Sequence, residues 1–111
     1  MADTSKNLAD LREMMFSLSM ATSALDAVRY HPKEALQWTR HFLYTVKLKV
    51  KASELNKSWR KRAASLHATA KQIDKSGYYT GHTDAFRRDL FSFANEVSSE
   101  YRRVKNASRA R

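Results

Sequence analysis

The sequence predicts an all-α protein, a small helical bundle of three or four helices in a single domain that covers residues 1–111. A length of 111 residues falls within the range of one domain. A hydrophobic content of 42% is sufficient for a core. Two glycines and one proline are too few for a sheet with its many turns, and therefore favour helices. Because a chain this short buries only about two-thirds of its unfolded surface, we also expect a homo-oligomer.

The first helix is predicted to run from Asn7 to Tyr30, with Asn7 as its N-cap and Asp10 favourably placed in its first turn. Its apolar face follows a three-then-four spacing along Leu8, Leu11, Met15, Leu18 and Leu25, widened by Met14, Ala21 and Val28. Pro32 disfavours helical dihedral angles at the preceding residue, so it ends this helix and suits the first turn of the next one.

The segment between Pro32 and Ser76 contains neither glycine nor proline, so it could form one helix or two. Its apolar residues form two stripes, one along Leu36, Phe42, Leu43, Val46 and Val50, and one along Leu55, Trp59, Ala63, Leu66, Ala70 and Ile73. At about 100° per residue the stripes would lie roughly 150° apart on a continuous helix. We therefore favour a break between Lys51 and Asn56, with Ser53 or Asn56 as the cap of a new helix. An unbroken helix would need a second chain to cover one stripe.

The next helix is predicted to end at Gly77, which suits the left-handed position after a helix. Residues 78–82 read as a loop, and Thr83 is a good N-cap for the last helix. That helix has an apolar stripe along Phe86, Leu90, Phe93, Val97, Tyr101 and Val104. Residues 105–111 are polar and basic, and we expect this tail to fray.

The charge is strongly positive and unevenly distributed. The chain has 21 basic and 11 acidic residues, a net charge of +10. Residues 1–30 sum to −1, residues 31–62 to +7 and residues 63–111 to +4. Such an excess favours a polyanionic partner, which is nucleic acid, an anionic membrane or an acidic protein. The alternative is a solvated helix surface that only keeps the protein soluble. With no cysteine, no signal-peptide pattern and no apolar run of about 20 residues, we expect a cytoplasmic protein without a membrane span.

A basic cluster around the predicted break supplies the candidate binding site. We expect phosphate contacts from Lys47, Lys51, Lys57, Arg60, Lys61 and Arg62, with Arg102 and Arg103 as a second group near the C-terminus. On one continuous helical projection, Lys47, Lys51, Lys61 and Arg62 would share a face. Trp59 could stack on a base, but its place in the second apolar stripe favours the core.

Enzymatic chemistry has little support in the sequence. No two of the four histidines are four residues apart, so no helical zinc motif is expected, and we predict no metal and no cofactor. We interpret His41 and His67 as surface or boundary residues. No Gly-x-Ser-x-Gly turn and no glycine-rich phosphate loop is found in the sequence, so we do not expect an enzyme.

One short motif qualifies that expectation: an arginine and a histidine separated by four residues, in Arg62-Ala63-Ala64-Ser65-Leu66-His67. It resembles the ribonuclease motif of HEPN domains, which are also small helical bundles that dimerise. The resemblance implies that Arg62 and His67, paired across a dimer, would cleave RNA. Family members usually have a polar residue after the arginine, where this chain has Ala63.

Three functions therefore follow from the sequence. The main prediction is a non-enzymatic nucleic-acid-binding protein. The alternative is a helical adaptor or inhibitor that docks on an acidic partner protein. A HEPN-like ribonuclease is the lesser alternative.

Overall fold

The computed structural model describes residues 4–53, 55–76 and 83–109, and these residues form a four-helix bundle. The helices are α1 (Thr4–Asp26), α2 (Pro32–Ala52), α3 (Ser58–Ser76) and α4 (Thr83–Arg109). Each helix packs against the next one in the chain, and α4 also packs along α1. The bundle measures 50 × 21 × 19 Å. The predicted all-α bundle is confirmed, with no strand in the described part of the chain.

Helix α1 differs from its prediction at both ends. It begins at Thr4, so Asn7 lies inside the helix and is not its N-cap, since no glycine or proline before Asn7 interrupts it. It ends at Asp26 and is followed by one 3-10 turn, Ala27–Arg29. The fully buried line is Leu11, Met14, Leu18, Ala21 and Leu25. Leu8 and Met15 are only half-buried. Because α1 lies between α2 and α4, only the central line of its apolar stripe is fully covered.

The predicted break between α2 and α3 is confirmed, and of the two candidate caps for the new helix Asn56 takes that role, whereas Ser53 is the C-cap of α2. Ser53 takes an extended conformation (φ −99°, ψ 165°) and its hydroxyl donates to the Val50 carbonyl at 3.1 Å. Asn56 opens α3, where its Oδ1 accepts from the Ser58 amide at 3.0 Å and from the Ser58 hydroxyl at 2.8 Å. With the break, residues of both stripes join one core, so the stripes do not require a second chain.

The cores of α3 and α4 follow the predicted stripes closely. Trp59 is 1% exposed, which confirms its place in the core. Its ring lies edge-on to Phe93, with ring centroids 5.9 Å apart, and its Nε1–H donates to the Glu96 carboxylate at 3.0 Å. Phe86, Leu90, Phe93 and Val97 are buried, whereas Tyr101 and Val104 are half-buried at the edge of the core.

The predicted ends of α3 and α4 are only partly within the described residues. Helix α4 begins at Thr83, as expected, and continues to Arg109, so residues 105–109 of the expected tail are helical. Gly77, the predicted loop 78–82 and residues 110–111 lie outside the described ranges.

Candidate nucleic-acid interface

The structure divides the predicted basic cluster between two sides of α3. Lys47 and Lys51 lie in the last two turns of α2, and Lys57 immediately precedes α3. Because α2 and α3 are antiparallel neighbours joined by a short turn, these residues and the start of α3 lie at one end of the pair. The single helical face expected for Lys47, Lys51, Lys61 and Arg62 does not exist, since it required a continuous helix.

Lys61 and Arg62 lie on the α4 side of α3. Arg62 forms an ion pair with Glu96, and its guanidinium lies 4.8 Å from the centroid of the Phe93 ring. Lys61 lines a cavity of about 290 Å³ together with Arg62 and Asp89. Arg62 thus connects α3 to α4 through a carboxylate that a phosphate would have to replace.

The second predicted group is on a different helix from the cluster. Arg102 and Arg103 lie in the last part of α4, and both side chains are exposed. Arg103 pairs with Glu100 one turn earlier, with Nε 3.1 Å from Oε2, and this hydrogen bond lowers the pKa of Glu100. Arg102 forms no ion pair with any described carboxylate.

The outer surface between α2 and α3 forms an open groove of about 370 Å³. We call it the α2–α3 groove, and its lining residues are Gln37, Arg40, His41, Tyr44, His67 and Lys71. The rings of Tyr44 and His67 meet across it, with centroids 5.6 Å apart. Arg40 is joined to Asp74 of α3 by an ion pair of 2.5 Å, which ties the two helices together beside the groove.

The groove is electropositive around His67. Burial lowers the pKa of the His67 imidazole, and the charges of Lys47, Lys71 and Arg40 lower it further. Lys47 therefore belongs to the surroundings of the groove, although it is not part of its lining. A lowered pKa keeps the imidazole neutral near pH 7, so the net positive charge of the groove comes from Lys47 and Lys71, because Arg40 is paired with Asp74.

Helical periodicity extends the groove towards the turn between the helices. Seven residues bring a helix back to within about 20° of the same direction. Lys51 is seven residues after Tyr44 on α2, and Arg60 is seven residues before His67 on α3. Both therefore lie on the groove side of their helices. Along α3, Arg60 and Lys71 are about 16 Å apart at 1.5 Å per residue, so cations lie at both ends of a strip of about this length on the groove side.

Few of the cations in this part of the chain are neutralised internally. Between Lys47 and Lys71 the sequence has eight basic residues and one acidic residue, Glu54. Two of the eight, Lys49 and Arg62, form ion pairs with carboxylates of α1 and α4. The other six form no ion pair with a carboxylate in the described ranges, which do not include Glu54. They are Lys47, Lys51, Lys57, Arg60, Lys61 and Lys71.

Several residues of the groove were missed by the sequence analysis. Tyr44, Arg40 and Lys71 were not selected, and His67 was interpreted as a surface or boundary residue or as part of the HEPN-like motif, not as part of a nucleic-acid site. The helical spacing of Arg40, Tyr44, Lys47 and Lys51 was a usable signal, since three- and four-residue steps keep side chains on one side of a helix. What the spacing could not give was the identity of the neighbouring helix on that side.

The motif that resembles HEPN ribonucleases is not assembled within one chain. Arg62 and His67 are five residues apart, which places them about 140° apart around α3. Arg62 pairs with Glu96 of α4, whereas His67 lies against Tyr44 of α2. The two side chains thus belong to opposite flanks of the same helix.

Comparisons with protein-family models, with curated proteins and with solved structures found no match for the chain. Among the helices described here, none is long and apolar enough to cross a membrane. Within residues 4–53, 55–76 and 83–109, no group of three or more His, Asp or Glu side chains could hold a metal ion. Charge and surface geometry are therefore the features of the chain that bear on its function.

Proposed function

We propose that this chain is a non-enzymatic nucleic-acid-binding protein that contacts phosphates with the cations of α2 and α3. The observation that supports this most directly is the excess of eight basic residues over one acidic residue between Lys47 and Lys71. Six of these cations have no ion-pair partner in the described part of the chain. Cations without internal partners are free to exchange small counterions for phosphates.

The distribution of acidic residues supports the same proposal. In α1, Asp10 and Glu13 pair with Lys49, at 3.7 Å and 2.5 Å, and Asp26 pairs with Arg87 of α4. These carboxylates are therefore engaged on the other sides of the bundle. The α2–α3 side keeps its positive potential, which would steer a polyanion towards it.

The salt dependence of binding is the most direct test of this function. Each phosphate that a cation neutralises on duplex DNA releases counterions, and the slope of log affinity against log salt is about −0.9 per phosphate. Four to six contacts predict a slope of roughly −4 to −5. Fluorescence anisotropy of a labelled oligonucleotide, titrated with protein at several sodium chloride concentrations, measures this slope.

Two arginines with the same change in charge provide a matched comparison. Arg60→Gln removes a cation on the groove side of α3 and should flatten the salt slope by about one unit, with equal weakening for different sequences. Arg88→Gln removes an exposed arginine of α4, outside the cluster, and should leave the slope within about half a unit of the wild type.

Absence of binding to duplex and single strands at about 50 mM salt would refute the proposal, because the electrostatic contribution is strong there. Equal effects of the Arg60 and Arg88 variants would place the contacts elsewhere on the molecule. Binding to an acidic protein with no binding to oligonucleotides would instead support the adaptor alternative.

A further inference from the structure

We infer that the α2–α3 groove takes single-stranded nucleic acid, with an unpaired base packed against Tyr44. This inference rests on the proposed function. It specifies the class of nucleic acid that is bound and the contact with Tyr44 that favours this class. It follows from three features of the same surface: an exposed aromatic ring, a groove of suitable size and flanking cations.

The aromatic ring is the first feature. Tyr44 is 48% exposed although it lies in a groove between two packed helices. Trp59, the aromatic residue that the sequence placed within the basic cluster, is buried and cannot stack on a ligand. Among the large exposed aromatic side chains that the structure describes, Tyr44 alone lines the α2–α3 groove.

The groove itself is the second feature. Its volume of about 370 Å³ is near the lower end of the roughly 300–1,000 Å³ typical of small-molecule sites, which is ample for one planar base. Gln37 and His41 line it beside Tyr44 and add polar groups that can reach the edges of such a base.

The cations are the third feature. Lys47 and Lys71 lie close enough to His67 for their charges to lower its pKa, so they flank the Tyr44–His67 pair from both helices. Lys51 and Arg60 continue the positive strip towards the turn. A backbone that follows this strip would pass phosphates over the lysines while its bases face the groove. Aromatic platforms within positive grooves are the usual arrangement of single-strand binding sites.

Stacking on Tyr44 also discriminates between ligands. In a duplex, both faces of each base are covered by the neighbouring bases, and the phosphates lie outside. A side chain such as Tyr44 can reach only base edges there, whereas an unpaired base exposes its whole face. The groove should therefore bind a single strand more tightly than a duplex, beyond their shared electrostatic attraction.

Three ligands of equal length, compared at one salt concentration, separate base stacking on Tyr44 from electrostatic attraction to the phosphates. They are a mixed-sequence single strand, an abasic strand with the same phosphates, and a duplex, each followed by fluorescence anisotropy. We expect the wild type to bind the base-bearing strand about five- to 100-fold more tightly than the abasic strand. The duplex should bind more weakly than the base-bearing strand.

Substitutions at Tyr44 then test whether this ring causes the preference for the base-bearing strand. Tyr44→Leu should reduce binding of the base-bearing strand to the abasic level and leave the abasic affinity and its salt slope unchanged. Tyr44→Phe keeps the ring and should retain the preference. Tyr30→Leu is the matched control, because Tyr30 is 79% exposed in the turn between α1 and α2, outside the groove lining.

The outcomes distinguish this inference from the proposed function. If all three ligands fail to bind, the proposed function is wrong. If they bind with a steep salt slope but base-bearing and abasic strands bind equally, or the duplex binds best, the stacking inference is wrong and phosphate binding stands. A Tyr44→Leu protein that unfolds at the wild-type temperature but keeps the preference would also overturn it.

Discussion

At the scale of single residues, His67 makes the electrostatics of the groove measurable. It faces Arg40, His41, Tyr44 and Lys47 of α2, and Lys71 lies one turn away on α3. Burial, then the charges of the lysines and the arginine, lower the pKa of its imidazole below the usual 6.5. In the unfolded chain these influences are lost, so the unfolded state takes up a proton at higher pH than the folded state.

This difference predicts how stability varies with pH. As the pH falls through about 6.5, the unfolded state binds more protons than the folded state, so the free energy of unfolding decreases. The decrease should stop once the pH is below the lowered pKa of the folded state, because both states are then protonated. Urea unfolding between about pH 5 and pH 8 measures it. His67→Gln should remove this part of the profile, and a variant with the wild-type profile would contradict the assignment.

Trp59 shows how one residue can serve both the core and a polar contact. Trp59→Ala should lower the free energy of unfolding by about 3–5 kcal/mol, because a fully buried ring is replaced by a cavity. Trp59→Phe keeps most of the apolar contact with Phe93 and loses the hydrogen bond to Glu96. Loss of this hydrogen bond should lower the free energy of unfolding by about 1 kcal/mol, since Glu96 stays paired with Arg62.

Denaturant titrations of the two Trp59 variants distinguish these contributions. The same variants also test whether Trp59 has a direct role in binding. A Trp59→Ala protein that is as stable as the wild type but does not bind nucleic acid would mean that this ring reaches the ligand.

At the scale of helices, a short capped turn joins α2 and α3, the two helices that line the groove. Asn56 accepts hydrogen bonds from both the amide and the hydroxyl of Ser58 at the start of α3. Asn56→Ala removes these acceptors and should lower the free energy of unfolding by about 1 kcal/mol. Asn56→Asp keeps the acceptor and should stay near the wild type. Thermal unfolding measures both, and an Asn56→Ala variant with no loss would show that the cap contributes nothing.

The helices were largely predictable because their apolar periodicity is local information. The change of phase between Val50 and Leu55 indicated a break, and Asn56 was a recognisable cap for the helix after it. The starting point of α1 was less predictable, since Asn7 is a good N-cap residue but nothing before it stops a helix.

The candidate site was less predictable because it depends on which helices are neighbours. The sequence grouped Arg60 and Arg62 as equivalent cations. In the structure Arg62 meets Glu96, 34 residues away, whereas Arg60 has no such partner among the described carboxylates. The helical spacing placed Tyr44 on one side of α2 with Lys47 and Lys51, but not its contact with His67 of α3. Such pairings are set by tertiary packing, and periodicity within one helix does not contain them.

At the scale of the whole molecule, one of the two arguments for an oligomer no longer applies. An unbroken helix would have needed a second chain to cover one apolar stripe, and the break lets one core bury both stripes. The other argument, the small size of the chain, is unchanged. Phe16 and Met20 of α1 are 64% and 38% exposed and lie one turn apart, so some apolar surface is still open. Oligomerisation stays a prediction, and sedimentation of the wild type against Phe16→Ser tests it: the variant should be smaller if this surface joins two chains.

The net charge of +10 on a bundle only 50 Å long leads to the last prediction. At about 0.01 M salt the screening length is about 30 Å, longer than the cross-section of the bundle, so every excess charge repels the others. A single pair about 20 Å apart contributes only about 0.2 kcal/mol, but the sum over all pairs reaches a few kcal/mol. The ion pairs between helices, such as Arg40–Asp74, oppose this trend, but each contributes only about 0–1 kcal/mol.

Sodium chloride should therefore stabilise the fold between about 0.01 M and 0.15 M, where the screening length falls to about 8 Å. The unfolding temperature, followed by circular dichroism, should rise over this range. Lys57→Gln with Lys61→Gln lowers the net charge from +10 to +8 at two exposed positions, so it should raise the low-salt unfolding temperature and reduce the gain from salt. A wild-type unfolding temperature that falls with salt would mean that the ion pairs between helices outweigh the repulsion.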